Sequence, residues 1–231
     1  MKKVGIQLPR QANPEAVEIR YSLELEALSP IAEIIEVDAS TPEEFAEGVK
    51  DMDAIITYCG FIIDAKLISK LNKCVVIGVG SVGVDMVDIE AATAAGIVVT
   101  NVPDVFIEEV ADHAMMMLLA AGRRMKLMNR MAAEGNWWHG RPILSEVPRL
   151  YGQTLGLLAF GNVSRCMARR AKAFGMNIIS HDPYLSELTI SESGVEPVSF
   201  NELLERSDYL SIHCLLYTSD AADEGLGVDL G

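Results

Sequence analysis

The chain has 231 residues, half of them hydrophobic, which suits one or two globular domains with real cores. Its net charge of −14 argues against DNA, RNA or an anionic membrane as main partner. No stretch reaches the roughly 18 apolar residues that span a bilayer, and the first residues read as a strand, not a signal peptide.

In chain order, short apolar runs alternate with helical segments. Strands are expected at Val4–Leu8, Ile31–Val37, Ala54–Thr57, Cys74–Val79 and Ile97–Val102. Helices are expected at Glu43–Lys50, Asp64–Leu71 and Asp88–Ala95. Ser40-Thr-Pro-Glu43 has the form of a capping box with proline in the first turn, and Gly96 stops the third helix. The strands are near-continuous Val/Ile runs, as in a parallel sheet buried on both faces.

Pro103 ends this unit. A long helix is expected over Ile107–Met125, with Val110, Ala114, Met117, Leu118 and Ala121 on one face. The run Met115–Met117 reads as core packing. Arg123, Arg124 and Lys126 fall near the helix C-terminus, where the dipole favours cations. Gly135–Leu150, with Trp137, Trp138, Pro142 and Pro148, reads as an irregular crossing segment.

A second alternating unit follows. Thr154–Phe160 is a strand, Val163–Phe174 a helix stopped at Gly175, Asn177–Asp182 a strand, Ser199–Arg206 a helix and Tyr209–His213 a third strand. This βαβαβ series is half of a dinucleotide-binding fold. The expected fold class is therefore α/β, with two doubly wound parallel-sheet domains: a flavodoxin-like one and an incomplete Rossmann one.

The turn Ala159-Phe-Gly161-Asn-Val-Ser164 carries the chemistry. A dinucleotide fingerprint reads G-x-G-x-x-G between strand and helix, with an acid about 20 positions on. Here Gly161 keeps the position whose missing Cβ lets a pyrophosphate approach the backbone. Ser164 stands where a glycine permits close helix–strand packing, and Ala159 where one makes the tight turn. A positive φ at Ala159 would cost on the order of 1 kcal/mol. The helix N-terminus offers N–H groups to phosphate. Asp182 is the acid expected on the ribose hydroxyls, and no arginine immediately follows it, which favours NAD over NADP. The cysteines, Cys59, Cys74, Cys166 and Cys214, form no CxxC pair, so neither a zinc site nor a disulfide framework is expected. Their pattern suits a reduced, cytoplasmic setting.

Several segments together resemble the D-isomer-specific 2-hydroxyacid dehydrogenases, the family that includes phosphoglycerate dehydrogenase. They are Val82-Gly-Val-Asp-Met-Val-Asp88, Gly96-Ile-Val-Val-Thr-Asn-Val-Pro103, Glu109-Val-Ala-Asp-His113, Gly152-Gln-Thr-Leu-Gly156, Arg169-Arg-Ala-Lys-Ala-Phe-Gly175 and Ser207-Asp-Tyr-Leu-Ser-Ile-His213. The match is collinear over about Asp53–His213. It implies a substrate domain at 1–102 and an incomplete NAD-binding domain at 103–213. It implies that Ser81, Val82 and Gly83 hold a substrate carboxylate, with Val82 also near the nicotinamide. Ala159, Gly161, Asn162, Val163, Ser164, Asp182 and Cys214 would line the cofactor. Asn162 stands where the family often has arginine, so a charged phosphate contact is lost there. A small 2-hydroxy or 2-oxo acid substrate and a homodimer are also implied.

The family's catalytic arginine, glutamate and histidine follow the third Rossmann strand, so none is assigned here. His113 reads as structural and His139 as exposed, while His181 and His213 end strands beside the nucleotide loop. The tail after His213 departs from the family pattern. Its start back-translates to TGT CTC TTA TAC ACA TCT, a transposase sequencing-adapter end, so 214–231 is expected to be translated adapter. A chain ending there would leave strand Thr154–Phe160 without a neighbour on one side, as an open apolar edge with poor solubility. The leading expectation is a hydride-transferring NAD enzyme, cut short. An NAD(H)-sensing, corepressor-like binding protein on the same fold stays open, as does an inactive remnant.

Overall fold

The computed structural model describes residues 1–7, 21–58 and 60–213. They form two compact units, Met1–Val105 and one beginning at Phe106. Leu8, Cys59, Cys214 and the tail 214–231 lie outside the described residues.

The first unit is a parallel sheet of β1 (Lys2–Gln7), β2 (Ala32–Val37), β3 (Ala54–Thr57), β4 (Val76–Val79) and β5 (Val98–Thr100). Their order is β2-β1-β3-β4-β5. Helices α1 (Ser22–Leu28), α2 (Pro42–Val49), α3 (Ala65–Ile68) and α4 (Ile89–Ala94) connect them. Local chemistry sets the helix starts. Asp64 and Asp88 accept the N–H groups of Leu67 and Ala91 at 2.8 and 2.9 Å, the usual work of an N-cap aspartate. For α2 the capping pair is Thr41 and Glu44, one residue beyond the expected Ser40 and Glu43. Thr41 caps Glu44, and the Glu44 carboxylate accepts the Ser40 N–H at 2.8 Å. Gly96, at φ +72°, ends the turn after α4 as expected.

Both faces of this sheet carry buried residues, one more completely than the other. Ile55, Ile77 and Val79 are buried with Phe45, Val49, Leu67 and Ala92. On the other side α1 covers Val4 and Ile6, while Ile56 and Ala54 are only partly buried. The expectation of a sheet buried on both faces therefore holds fully for one face and in part for the other, where Val4, Ile6 and Ala32 are buried. Helix α1 itself was missed, because its Ser-Leu-Glu-Leu-Glu start alternates like a strand.

The second unit opens with α5 (Ile107–Gly122), α6 (Met125–Ala133) and α7 (Trp137–Ser145). The single helix expected over Ile107–Met125 is broken: Arg124 takes a left-handed φ of +49° and starts α6. Arg124 and Lys126 thus belong to the start of α6. The expected buried face of α5 is also turned by one residue. Ala111, Met115, Leu118 and Gly122 are buried, whereas Val110 and Met117 are about half exposed. Two apolar stripes run along this helix, and periodicity alone does not rank them. Of the methionine run, only Met115 is core. The expected crossing segment is largely helical: α7 continues through Pro142. There Gly140 is buried so tightly that a Cβ would lie 3.2 Å from the Met128 sulfur.

The second sheet has β6 (Thr154–Leu158), β7 (Asn177–His181), β8 (Glu196–Pro197) and β9 (Tyr209–Ile212), with helices α8 (Asn162–Ala173), α9 (Glu187–Ser191) and α10 (Phe200–Arg206). All pairs are parallel and the order is β8-β7-β6-β9. Leu155 and Leu157 pack with Met167, Ala168 and Ala171 of α8. On the opposite face Gly156 lies so close to α10 that a Cβ would meet Leu203 at 3.1 Å. The sheet is thus wound on both faces, as expected.

Strand Tyr209–Ile212 is the fourth of this sheet, and it pairs with β6 (Leu155↔Tyr209 to Leu158↔Ile212). The two-residue β8 takes the third place. The expected open edge at Thr154–Phe160 is therefore incorrect: β6 has neighbours on both sides, and among the described residues the edge on that side is β9, where Leu210 and Ile212 are 42% and 63% exposed. So short a strand shows no alternation, and its absence from the sequence reading shifted the strand count by one.

Candidate functional site

In open parallel sheets, ligands bind outside the carboxyl ends of the strands, where the strand order reverses. In the second unit the order reverses between β6 and β9. The loop leaving β6 is Ala159–Gly161, and the residue following β9 is His213.

Ala159 has φ +68°, a strained conformation for alanine where a glycine would be relaxed. Its N–H donates to the His181 carbonyl at 2.9 Å. Its carbonyl accepts the buried Ser164 hydroxyl at 2.7 Å. Ser164 is therefore more than a tolerated glycine substitute, since it ties α8 back to the turn. Asp182 holds the next residue: its Oδ2 accepts the Phe160 N–H and its Oδ1 the Tyr184 N–H, both at 2.8 Å. Each carboxylate oxygen keeps further lone-pair capacity for hydroxyl donors. Gly161 is the N-cap of α8 and brings no side-chain cap to the first-turn N–H groups. A Cβ built on it meets nothing within 4 Å, so the space beside it is open to a group approaching the backbone. Asn162, Val163 and Ser164 form the first turn of α8. These features fit a dinucleotide phosphate.

Around this loop, Ser180 is fully buried and donates to the Leu157 carbonyl at 2.9 Å. His181 Nδ1 lies 3.0 Å from the Val198 carbonyl, and its ring meets Phe200 edge-on. His213 Nε2 is 2.9 Å from the Ser211 hydroxyl, and burial holds its imidazole below the ordinary pKa. His113 and His139 are exposed. Helix α8 is tied to α5 by Arg169 and Arg170, which grip Glu108 at 2.7 and 2.6 Å, and by Arg170 on Asp112 at 2.6 Å. Hydrogen bonds from Arg169 and Arg170 pull the Glu108 carboxyl down to about 2.

In the first unit the order reverses between β1 and β3. Ser81, Val82 and Gly83 follow β4 at the same sheet end. Their carbonyls are taken up in turn: Val102 N–H donates to Ser81 at 3.1 Å, Asn101 Nδ2 to Val82 at 2.7 Å and the Ser81 hydroxyl to Gly83 at 2.7 Å. Sequence reasoning missed the groups beside them. Thr57 and Gln7 form a buried pair at 2.5 Å. The Tyr58 ring lies against Gly80, where a Cβ would come within 2.4 Å, and its hydroxyl donates to Glu24 at 2.8 Å. Burial and that carboxylate push the phenol above its ordinary pKa. Their only sequence signal is position at the carboxyl ends of β1 and β3.

Two parallel sheets with loops of this kind at their carboxyl ends define the class of doubly wound α/β proteins with a Rossmann-type unit. The family described as "D-isomer specific 2-hydroxyacid dehydrogenase, catalytic domain" matches residues 17–225, and the chain belongs to that family. Among curated relatives it is 38% identical to the D-3-phosphoglycerate dehydrogenase of Methanocaldococcus jannaschii, over 81% of this chain and 36% of that one. It is also 38% identical to the glyoxylate reductase of Korarchaeum cryptofilum, over 80% and 58% respectively. The chain thus spans well under two thirds of these relatives. Among solved structures, the D-lactate dehydrogenase of Aquifex aeolicus, complexed with NAD and lactic acid, superposes with a TM-score of 0.76. That match has 28% identity and covers 91% of this chain and 60% of the other. Among the described residues, no helix is long and apolar enough to cross a membrane.

Proposed function

We propose that this chain carries the substrate loop and the NAD loop of an oxidoreductase acting on a small D-2-hydroxy or 2-oxo acid. The observation that carries this reading is the open, uncapped N-terminus of α8 at Gly161, braced by Ser164 and Asp182. Residues 1–102 serve as the N-terminal part of the substrate domain and 103–213 as the NAD-binding domain. When bound, NAD supplies the hydride acceptor or donor. The residues of this chain bind and orient. Gly161, Asn162, Val163 and Ser164 offer backbone N–H groups to the pyrophosphate, with Ala159 setting the turn. Asp182 takes ribose hydroxyls and disfavours a 2′-phosphate by charge. Cys214 follows the strand that flanks the loop. Ser81, Val82 and Gly83, their carbonyls already engaged, meet the substrate carboxylate through N–H groups. No arginine, glutamate or histidine of the chemistry is assigned in this chain.

A homodimer forms through the second unit, supported by an open apolar groove that includes Met116, Leu119, Trp137, Leu144 and Phe174. The free thiols Cys74 and Cys166 suit a reducing, cytoplasmic setting. Residues 214–231 are translated adapter, and the source DNA tests this: codons unlike the adapter would refute it. The functional reading is tested by titrating the chain with NADH and NADPH, following nicotinamide fluorescence. NADH binding in preference to NADPH is expected. No NADH binding at about millimolar concentration refutes the cofactor assignment.

A further inference from the structure

Three side chains hold the loop at Ala159–Gly161, and one of them keeps donors in reserve. Ser164 and Asp182 hold the Ala159 carbonyl and the Phe160 N–H. The third is Arg165, the fourth residue of α8, which is exposed. It folds back toward the helix N-terminus, as long helical side chains do. Its Nε donates to the Phe160 carbonyl at 3.3 Å, and its guanidinium carbon sits 5.2 Å from the Phe160 ring centroid.

That contact uses one corner of the guanidinium. Among the described residues, Nη1 and Nη2 have no hydrogen-bond acceptor and no carboxylate pairs with them. The next two arginines of the same helix differ: Glu108 and Asp112 compensate Arg169 and Arg170. In a chain of net charge −14, α8 therefore keeps one uncompensated arginine, anchored to the loop beside its uncapped N-terminus. Asn162, one turn earlier, is uncharged. A planar fork with a fixed Nε and free terminal nitrogens suits the oxygens of a phosphate.

We propose that Arg165 is the phosphate clamp of this nucleotide loop. Its Nε holds the Phe160 peptide while Nη1 and Nη2 donate to the dinucleotide's pyrophosphate oxygens. The proposal rests on the reading of Ala159–Ser164 as the cofactor loop.

Binding of NADH, ADP and adenosine to the 231-residue chain, Arg165→Gln and Arg165→Lys tests it by calorimetry at two salt concentrations. Arg165→Gln should weaken NADH and ADP roughly tenfold or more, the scale of a lost charge-assisted hydrogen bond. It should leave adenosine unchanged and flatten the salt dependence. Arg165→Lys should recover part of the affinity for ADP. Equal losses for ADP and adenosine would mean that Arg165 only shapes the loop, which overturns the proposal. Unchanged ADP binding overturns it while the loop reading stands. Failure of the unaltered chain to bind either NADH or ADP removes the loop reading and the proposal together.

Discussion

The two sheets carry their candidate loops at equivalent ends but build them differently. In the first unit, Ser81–Gly83 is fixed by hydrogen bonds to its carbonyls, two from side chains and one from the Val102 N–H. In the second, Ala159–Gly161 is strained at φ +68° and held by Ser164, Asp182 and Arg165. The first loop is held at its carbonyls and carries no positive φ. The second places a helix N-terminus where glycines are largely lost, and side-chain hydrogen bonds offset the strain. The difference shows that polar side chains can hold a turn from which glycines are missing.

Substitutions can break this contrast. The largest effect is expected from Gly161→Val. Its φ of −76° is open to any residue and the space beside it is empty, so the melting temperature should barely move. NADH binding should fall below detection, because the branched side chain fills the phosphate approach. Retained binding in a fluorescence titration would show that the loop does not hold the cofactor.

Gly80→Ala probes the other unit. Its Cβ would come within 2.4 Å of the Tyr58 ring. Overpacking of this kind costs about 1–3 kcal/mol, which chemical denaturation would register. Affinity for ADP should stay the same.

Asp182→Ala removes the acceptor of two backbone N–H groups. A loss of about 1–2 kcal/mol in stability is expected, together with weaker NADH binding. Intact stability would mean that the loop does not depend on this brace. Ala159→Gly should act in the opposite direction, raising stability by about 1 kcal/mol as the positive φ is relieved. A lowered melting temperature would contradict the strain argument.

The smallest effect concerns Glu108. Its folded pKa, about 2, lies below the ordinary 4.5 because Arg169 and Arg170 donate to it. Its contribution is therefore complete above about pH 4.5 and is lost as pH falls through about 2. The carboxylate is exposed, so Glu108→Gln should lower the melting temperature only slightly at neutral pH. Thermal melts across this pH range should converge for the two proteins at the acid end.

Much of this was legible in the residues. Alternating Val/Ile runs and helical segments indicated two parallel α/β sheets, and Asp64, Asp88, Ser199 and Gly96 mark element ends as their chemistry requires. The strand–turn–helix setting of Ala159–Ser164 was readable too, while the positive φ at Ala159 is a finding of the structure. Breaks without a sequence signal were not. Arg124 interrupts the long helix in a conformation that its side chain does not announce. The second apolar stripe of α5 looked as ready for burial as the true one.

The sequence by itself determined the local periodicities, the caps, the glycine at position 161 and the acid at position 182, because these depend on residues close along the chain. Tertiary structure decided which strand closes beside β6, which face of α5 is buried and which groups brace the loop. Such choices turn on partners far apart in sequence, such as Asp182 at the Phe160 N–H, and only packing brings them together.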